Sequence, residues 1–491
     1  MKCLRIKILS ILLALTCLSC ENDLTEELKG SLSASTLVSE SDARALVDGI
    51  YNQMLTGGWF YYGSGQMVKL NDGITDVMVE GRTSNLEQYH WTESHADMVW
   101  SSAYVLINRA NTALELIEGM DESSFASADA KAALMGEALF LRSLAYFDLT
   151  GLFGAVPLRL GATSDPNELP SRTPEGEVYA QLISDLETAA EDLPPVQDGV
   201  GKATRGAALT LLAKIAFRQK EWSSAEGYID QVIDLGVYDL FEGQYGALFY
   251  ESNRKDNEFI FVVMSLGAEY NKSNHHIKFF TPWGYDTGWS ETGVPLQIYN
   301  MLDPSDARND VIENDLSGAY YAYVRDYGTA ADWKGFALLT KYSGFRRDVT
   351  APNSIWANYA SSALNQPVFR YADILLMKAE VENELNGPTG VAYNAINAVR
   401  NRAGLEGLPT GLDQGAFRTA ILNERALELV GEGHRKDDLI RHGVFESTMT
   451  QYLVDQNYPN PVTVTQDYRV YPIPRQELDL NPNMEPNPLN K

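Results

Sequence analysis

Glu424, Glu428 and Glu432 recur every four residues beside Arg425, His434, Arg435 and Asp437, a spacing that sets the three carboxylates along one face of a helix. Two carboxylates at a suitable separation can cleave a glycosidic bond, one as acid and one as base or nucleophile. Arginine is as abundant as glutamate in this run, and guanidiniums beside carboxylates tie helices together. The pattern therefore predicts ion pairs in a structural body rather than an acid and base at work.

Metal chemistry finds little support. His90 and His95 are five residues apart and share a helix face poorly, and His275 and His276 are neighbours whose side chains diverge. There is no His-Glu-x-x-His and no Gly-rich phosphate cradle. Asn and Asp oxygens are plentiful but nothing matches the twelve-residue calcium loop, so no cofactor is expected and a structural calcium ion stays open.

Sugar binding needs flat apolar faces for the C–H faces of the rings, with carboxylates, amides and Arg at the rim. Two stretches offer that mixture. Residues 59–91 hold Trp59, Phe60, Tyr61 and Tyr62, then Asn71, Asp72, Asp76, Arg82 and Trp91; residues 283–289 hold Trp283, Tyr285 and Trp289 with Gly284, Asp286 and Gly288 between them. Tyr323, Trp333 and Trp356 add aromatics further on, whereas Trp100 and Trp222 fall at helix packing positions and belong to the core.

Mostly helical elements must position these groups. Ser41-Asp42 caps a helix to about Leu55, and helices follow at about 95–119 and 126–149, the second closed by Gly151 to Gly154 and by Pro157. Others run from Pro174 to Ala190, Thr204 to Gln219 and Trp222 to Leu235, then Tyr371 to Leu385, Thr389 to Arg402, Gln414 to Val430 and Arg435 to Arg441. Trp222, Ala225, Tyr228 and Ile229 resemble tetratricopeptide packing positions. Residues 237–365 lose the helical period, contain a β-prone run at Phe259 to Met264, and form a loop-rich region. Prolines at 472, 474, 482, 486 and 488 lay the C-terminal end out extended. The division is 1–19, 20–40, 41–236, 237–365 and 366–491.

At the other end, Lys2, Arg5 and Lys7 precede the apolar run Ile8 to Leu15, which is too short to span a bilayer core of roughly 30 Å. Leu18-Ser19-Cys20 resembles the lipobox of bacterial lipoproteins. That implies cleavage before Cys20, acylation of its thiol and stable membrane attachment by two or three chains, with residues 21–40 as a tether that then lies against the body. The chain has three cysteines, Cys3, Cys17 and Cys20. A chain starting at Cys20 keeps one, already lipidated, which excludes disulfides, a thiol nucleophile and thiol metal ligands. It also carries 36 basic against 66 acidic residues, and so strong an acidic excess argues against nucleic acid as a partner.

Five further stretches stand in order along the chain: Ala138 to Leu149 (ALFLRSLAYFDL) with Gly154-Ala155-Val156-Pro157-Leu158, Phe369 to Glu380 (FRYADILLMKAE), Ile396 to Gly404 (INAVRNRAG), Asn423 to Arg441, and Pro472 to Leu478 with Asn481-Pro482. Together they resemble the SusD/RagB family of outer-membrane nutrient-binding lipoproteins of Bacteroidota. They are similar, in turn, to its helix and "yG-x-vP" turn, its "R-y-A-d-v-L-L-m-y-A-E" helix, its "iN-x-vR-x-RAG", its "ER-x-x-E" to "R-x-x-D-L-x-R" run and its closing "PIP-x-x-E-i-x-x-Np".

The resemblance implies a predominantly all-α body of tetratricopeptide-like helix pairs with a loop-rich variable region and minor β structure. It implies a lipid-anchored protein at the cell surface that binds a glycan or oligosaccharide without cleaving it and delivers it to a SusC-like TonB-dependent barrel. Because such proteins often draw ligand contacts from the N-terminal stretch, Asp76, Arg82 and Trp91 are preferred there, with Trp59, and Trp283, Tyr285, Trp289 and Trp333 in the variable region. A peptide ligand on the same architecture, a secreted helical glycoside hydrolase and a repeat scaffold of the envelope are the alternatives.

Overall fold

The structure, a computed structural model, describes residues 37–56, 61–80, 86–163, 165, 167–265, 280, 292–313, 336–342, 364–458 and 460–490. Helix α1 (Glu40–Thr56) opens it. Its start is a capping box set two residues earlier than the sequence suggests: Ser39 leads, and the Asp42 carboxylate reaches back to accept from the Ser39 and Val38 backbone N–H groups at 3.0 and 3.1 Å. Then come α2 (Gln66–Asn71), a hairpin of β1 (Ile74–Thr75) and β2 (Met78–Glu80), and the long helices α3 (Asp97–Glu118) and α4 (Ala128–Phe153).

Helix α4 is apolar on nearly all sides, as a helix buried all round must be. Phe140, Leu141, Leu149 and Phe153 are fully buried. The Ser127 side chain caps its start, and Gly154 at φ 72° stops it, a left-handed angle that glycine adopts without strain. α3 packs on α4, α4 on α5 (Glu175–Asp192), α5 on α6 (Arg205–Gln219), and α6 on α7 (Trp222–Asp234). Thr204 caps α6 through the Ala207 N–H. Consecutive antiparallel helices thus form the tetratricopeptide-like layer.

The chain then leaves that layer for β3 (Phe259–Val263), β4 (Thr292–Pro295), α8 (Leu296–Tyr299), β5 (Ile312–Glu313), β6 (Phe336–Leu339) and β7 (Gln366–Arg370). β3 pairs antiparallel with β7. The other strands form one sheet in the order β1-β2-β4-β6-β5. A second core lies under that sheet, built from Met78, Phe249, Val294, Ile312, Leu339 and Val430 among others.

Helices α9 (Tyr371–Asn386), α10 (Gly390–Arg402), α11 (Gln414–Glu428), α12 (Arg435–Arg441) and α13 (Phe445–Asp455) rejoin the body, α9 packing on α7. α13 is absent from the sequence reading. The proline-rich end also departs from it: Pro474 stands at the N-cap of a short helix, α14 (Arg475–Leu480), a position where a missing N–H costs nothing. Trp100 is 2% exposed and Trp222 packs partly buried against the same core.

Candidate functional site

The hairpin β1–β2 is fixed from beneath by three attachments. The Asp72 carboxylate accepts from the backbone N–H groups of Gly433 and Arg435 at 2.8 and 3.0 Å. The Asp76 carboxylate accepts from Arg435 Nε and Nη2 at 2.8 and 2.7 Å, a two-pronged pair that sets both position and angle. The Tyr89 hydroxyl donates to the Ile74 carbonyl at 2.6 Å. Burial pushes the Asp72 carboxyl up to about 7 against the pull of its two N–H donors.

Glu80, the last residue of β2, is the register partner of Thr292, the first residue of β4. The end of β2 and the start of β4 therefore lie side by side. β4 in turn pairs with β6 through Pro295 and Phe336, so the start of β6 lies beside the opposite end of β4.

Of the residues proposed from sequence to touch ligand, Asp76 and Trp91 lie in the described part. Asp76 is 6% exposed and shares both oxygens with Arg435. Trp91 is half-buried, stacked on Tyr471 at 4.3 Å between ring centroids and 20° between planes, with its indole N–H donated to the Leu86 carbonyl at 2.9 Å. Trp59, Arg82, Trp283, Tyr285, Trp289 and Trp333 lie outside the described residues.

The periodic glutamates are all engaged. Glu424 takes Arg308 Nη1 and Arg400 Nη1, each at 2.7 Å. Glu428 takes Arg402 at 2.6 Å and Arg370 at 3.0 Å. Glu432 takes Arg370 at 2.6 Å and the Lys341 ammonium, while Glu258 is shared by Arg370 and Arg402. Burial works to raise the Glu432 carboxyl, but Arg370 and Lys341 outweigh it and hold the group down at about 2. An ionised, doubly paired carboxylate is neither a proton donor at neutral pH nor free to attack a sugar.

His434 is likewise no general base in waiting. Burial, reinforced by the Lys214 ammonium 3.2 Å from its Nδ1, pushes it down to about 4. A second ionic chain runs through the body. Arg425 donates to Asp373 at 2.7 Å and Asp438 at 2.8 Å, and Arg441 donates to Glu380 at 2.6 Å and Asp438 at 2.8 Å. Among the described residues, no group of three or more His, Cys, Asp or Glu side chains is placed to hold a metal ion.

Sequence reasoning located the glutamates and anticipated ion pairs, but not the partners that matter most to the loop-rich region. Lys341 follows β6 and donates to the Glu428 and Val430 carbonyls at 3.0 and 3.3 Å. Arg308 is fully buried between Asp306 and Glu424. Glu258 leads into β3. Through Lys341 and Arg308 the five-stranded sheet is clamped to α11 and the turn after it, whereas Glu258, in front of β3 of the two-stranded sheet, is tied to Arg370 and Arg402, which in turn bind Glu428.

A family model described as "SusD family" matches residues 248–489, and one described as "Starch-binding associating with outer membrane" matches residues 33–217. The chain is 29% identical over 520 residues to SusD-like protein P25 of Formosa agariphila, covering 97% of this chain and 96% of that one. Its fold superposes on a SusD homolog from Bacteroides thetaiotaomicron with a TM-score of 0.79 at 24% identity, covering 92% and 97% of the two chains. A laminarin-binding SusD-like protein superposes with a TM-score of 0.74 at 25% identity, covering 92% of this chain and all of that one.

Proposed function

The chain belongs to the SusD/RagB family, the outer-membrane-associated nutrient-binding proteins of Bacteroidota, and from that premise we propose that it captures a glycan or oligosaccharide at the cell surface and passes it to a SusC-like TonB-dependent transporter. The observation that carries the reading is the Glu80–Thr292 pairing. It supports a single binding edge to which one chain segment brings Arg82 and another brings Trp283, Tyr285 and Trp289. Rings of this kind cover the apolar faces of a sugar while a guanidinium takes its hydroxyls.

Asp76 and Trp91 serve this site in the same reading by holding the hairpin and its return in place; Trp59 adds a ring from the N-terminal stretch, and Trp333, which precedes the start of β6 beside the other end of β4, is proposed as a separate ligand contact. The commitment of Glu424, Glu428 and Glu432 to arginine supports capture without cleavage. Cys20 is the proposed lipid anchor that keeps the body at the outer membrane. Similarity to a laminarin-binding protein makes β-glucan a sensible first probe.

The test is native affinity electrophoresis of the protein through gels containing laminarin, starch or other polysaccharides, with chromatography of each polymer afterwards. Retardation by at least one polymer with its chain length unchanged is the expected result. Release of shorter products contradicts the proposal. Absence of retardation by every glycan, together with binding of a peptide mixture, moves the ligand class to peptides.

A further inference from the structure

α1, the turn at residues 199–202 and the end of β3 line an apolar cavity of about 580 Å³. Its walls include Met54, Leu55, Val200, Val262 and Met264. The walls are fixed relative to one another. The Tyr51 hydroxyl on α1 accepts from the Ala203 N–H at 2.8 Å, just past the turn. Gly201, at φ 78°, lies so close to β3 that a Cβ would stand 3.0 Å from both the Val262 carbonyl oxygen and Met264 Cβ. On the third side Gly49 interrupts α1, where a helix interior disfavours glycine, and a Cβ added there meets nothing within 4 Å. The cavity is thus built, apolar and open at a helix position that alanine would otherwise suit.

We infer that this cavity seats the chain's own segment between Cys20 and Leu37. That segment is polar and acidic except for Leu24, Leu28 and Leu32, which recur every four residues, and it ends at Leu37, which is 8% exposed against the core. The lengths agree. Asp48 to Leu55 lies about 16–27 Å beyond Leu37 along a helix rising about 1.5 Å per residue. Running back from Leu37 beside α1 at roughly 3.3 Å per residue, an extended chain puts Leu32 about 16 Å and Leu28 about 30 Å away. The charges agree as well: Glu26 and Glu27 precede Leu28 and Lys29 follows it, while the cavity rim presents Lys202 and Asp48.

Two other stretches adjoin the cavity walls, and both suit it less. Residues 57–60 are only four, directly continuous with α1, and in residues 266–279 the apolar Leu266, Tyr270, Ile277 and Phe279 are set among a run of Asn, Lys and His from Asn271 to His276. The seated segment would shorten the free tether between a lipid on Cys20 and the body, so that the α1 face stays close to the membrane. That consequence rests on Cys20 as the anchor; the seating itself does not.

The test pairs Leu28→Cys with Val200→Cys in the full chain, treats it with a short bismaleimide and identifies linked peptides by mass, which separates these products from any at the native cysteines. Expected is an intrachain 28–200 link in several-fold excess over a control pairing Leu28→Cys with Val391→Cys, an exposed position on α10. Gly49→Leu, which fills the open space, is expected to abolish the excess. Because that substitution falls inside α1, hydrogen exchange of the unsubstituted chain is read alongside, with residues 24–32 expected to be protected several-fold relative to the Leu28→Asp chain. Equal link yields in the two pairings, an interchain link, an excess that survives Gly49→Leu in a folded protein, or exchange at the unprotected rate each overturns the inference.

Discussion

Glu80 and Thr292, 212 positions apart in the chain, face each other as register partners at one end of the neighbouring strands β2 and β4 of the five-stranded sheet. The pairing joins the segment that follows the N-terminal hairpin to the segment that precedes β4. Both segments carry side chains suited to sugars, and the edge they share is the proposed binding edge.

Removing the rings should lower affinity without unfolding the protein. Trp283→Ala and Trp289→Ala are each expected to weaken retardation by the bound polysaccharide several-fold, about 1 kcal/mol or more per ring. The thermal midpoint should stay within a degree or two, as checked by circular dichroism.

Trp91 should behave in the opposite way. Its stacking on Tyr471 and its bond to the Leu86 carbonyl make Trp91→Ala a loss of buried packing, expected to cost about 3 kcal/mol in a urea melt. Affinity for polysaccharide, measured on the folded fraction, should fall less than in Trp289→Ala.

The buried ionic network should report on stability and not on turnover. Arg370→Ala leaves Glu258, Glu428 and Glu432 without their shared partner, and breaking such a buried pair costs about 3–5 kcal/mol. Glu428→Gln should destabilise in the same assay, with no hydrolysis product in either the parent or the variant.

Acidity should act through Asp148. The Tyr61 and Tyr62 hydroxyls both donate to its Oδ2, at 2.7 and 2.9 Å, but burial dominates and pushes the carboxyl up to about 7 from an ordinary value of 3.8. A raised carboxyl means that the folded state binds the extra proton between about pH 4 and 7, so this group's contribution to stability declines as pH rises through that window. The shift corresponds to about 4 kcal/mol for a fully buried group. Asp148→Asn should flatten that part of the stability profile and gain most above pH 7. Glu432, held at about 2, contributes with opposite sign: its stabilisation is full above about pH 4.5 and is lost as pH falls toward 2.

Much of the helical body is legible in the chain because its signals are local. Thr204 and Thr389 stand at the helix starts read from sequence, and both cap their helices, as Ser127 does, each accepting from the N–H three residues on. Helix α13 escaped although Phe445, Met449, Tyr452 and Leu453 are buried at helical spacing; it follows a short helix so closely that Gly443 reads as an end without a new beginning. The sheet is a different matter. Its strands are two to four residues long, and their partners lie up to hundreds of residues away, so no periodicity reveals them. The glutamate spacing in α11 is visible in sequence, whereas Lys341, Arg308 and Glu258 become partners only when the loop-rich region folds back. Asp76 was chosen for its carboxylate, and its pairing with Arg435 depends on a contact across 359 positions.

Replacement of Cys20 by Ala should move the protein from the membrane fraction to the soluble fraction. Retention at the parental level, measured by immunoblot after fractionation, would remove the lipid from the proposed mechanism.

The most direct test of a single binding edge is a double-mutant cycle on polysaccharide affinity with Arg82→Ala, Trp289→Ala and the double variant. Segments joined at Glu80–Thr292 that grip one ligand should give losses that fail to add, with a coupling of about 0.5–3 kcal/mol. Two independent, additive losses, or no loss from either substitution in a folded protein, would contradict it.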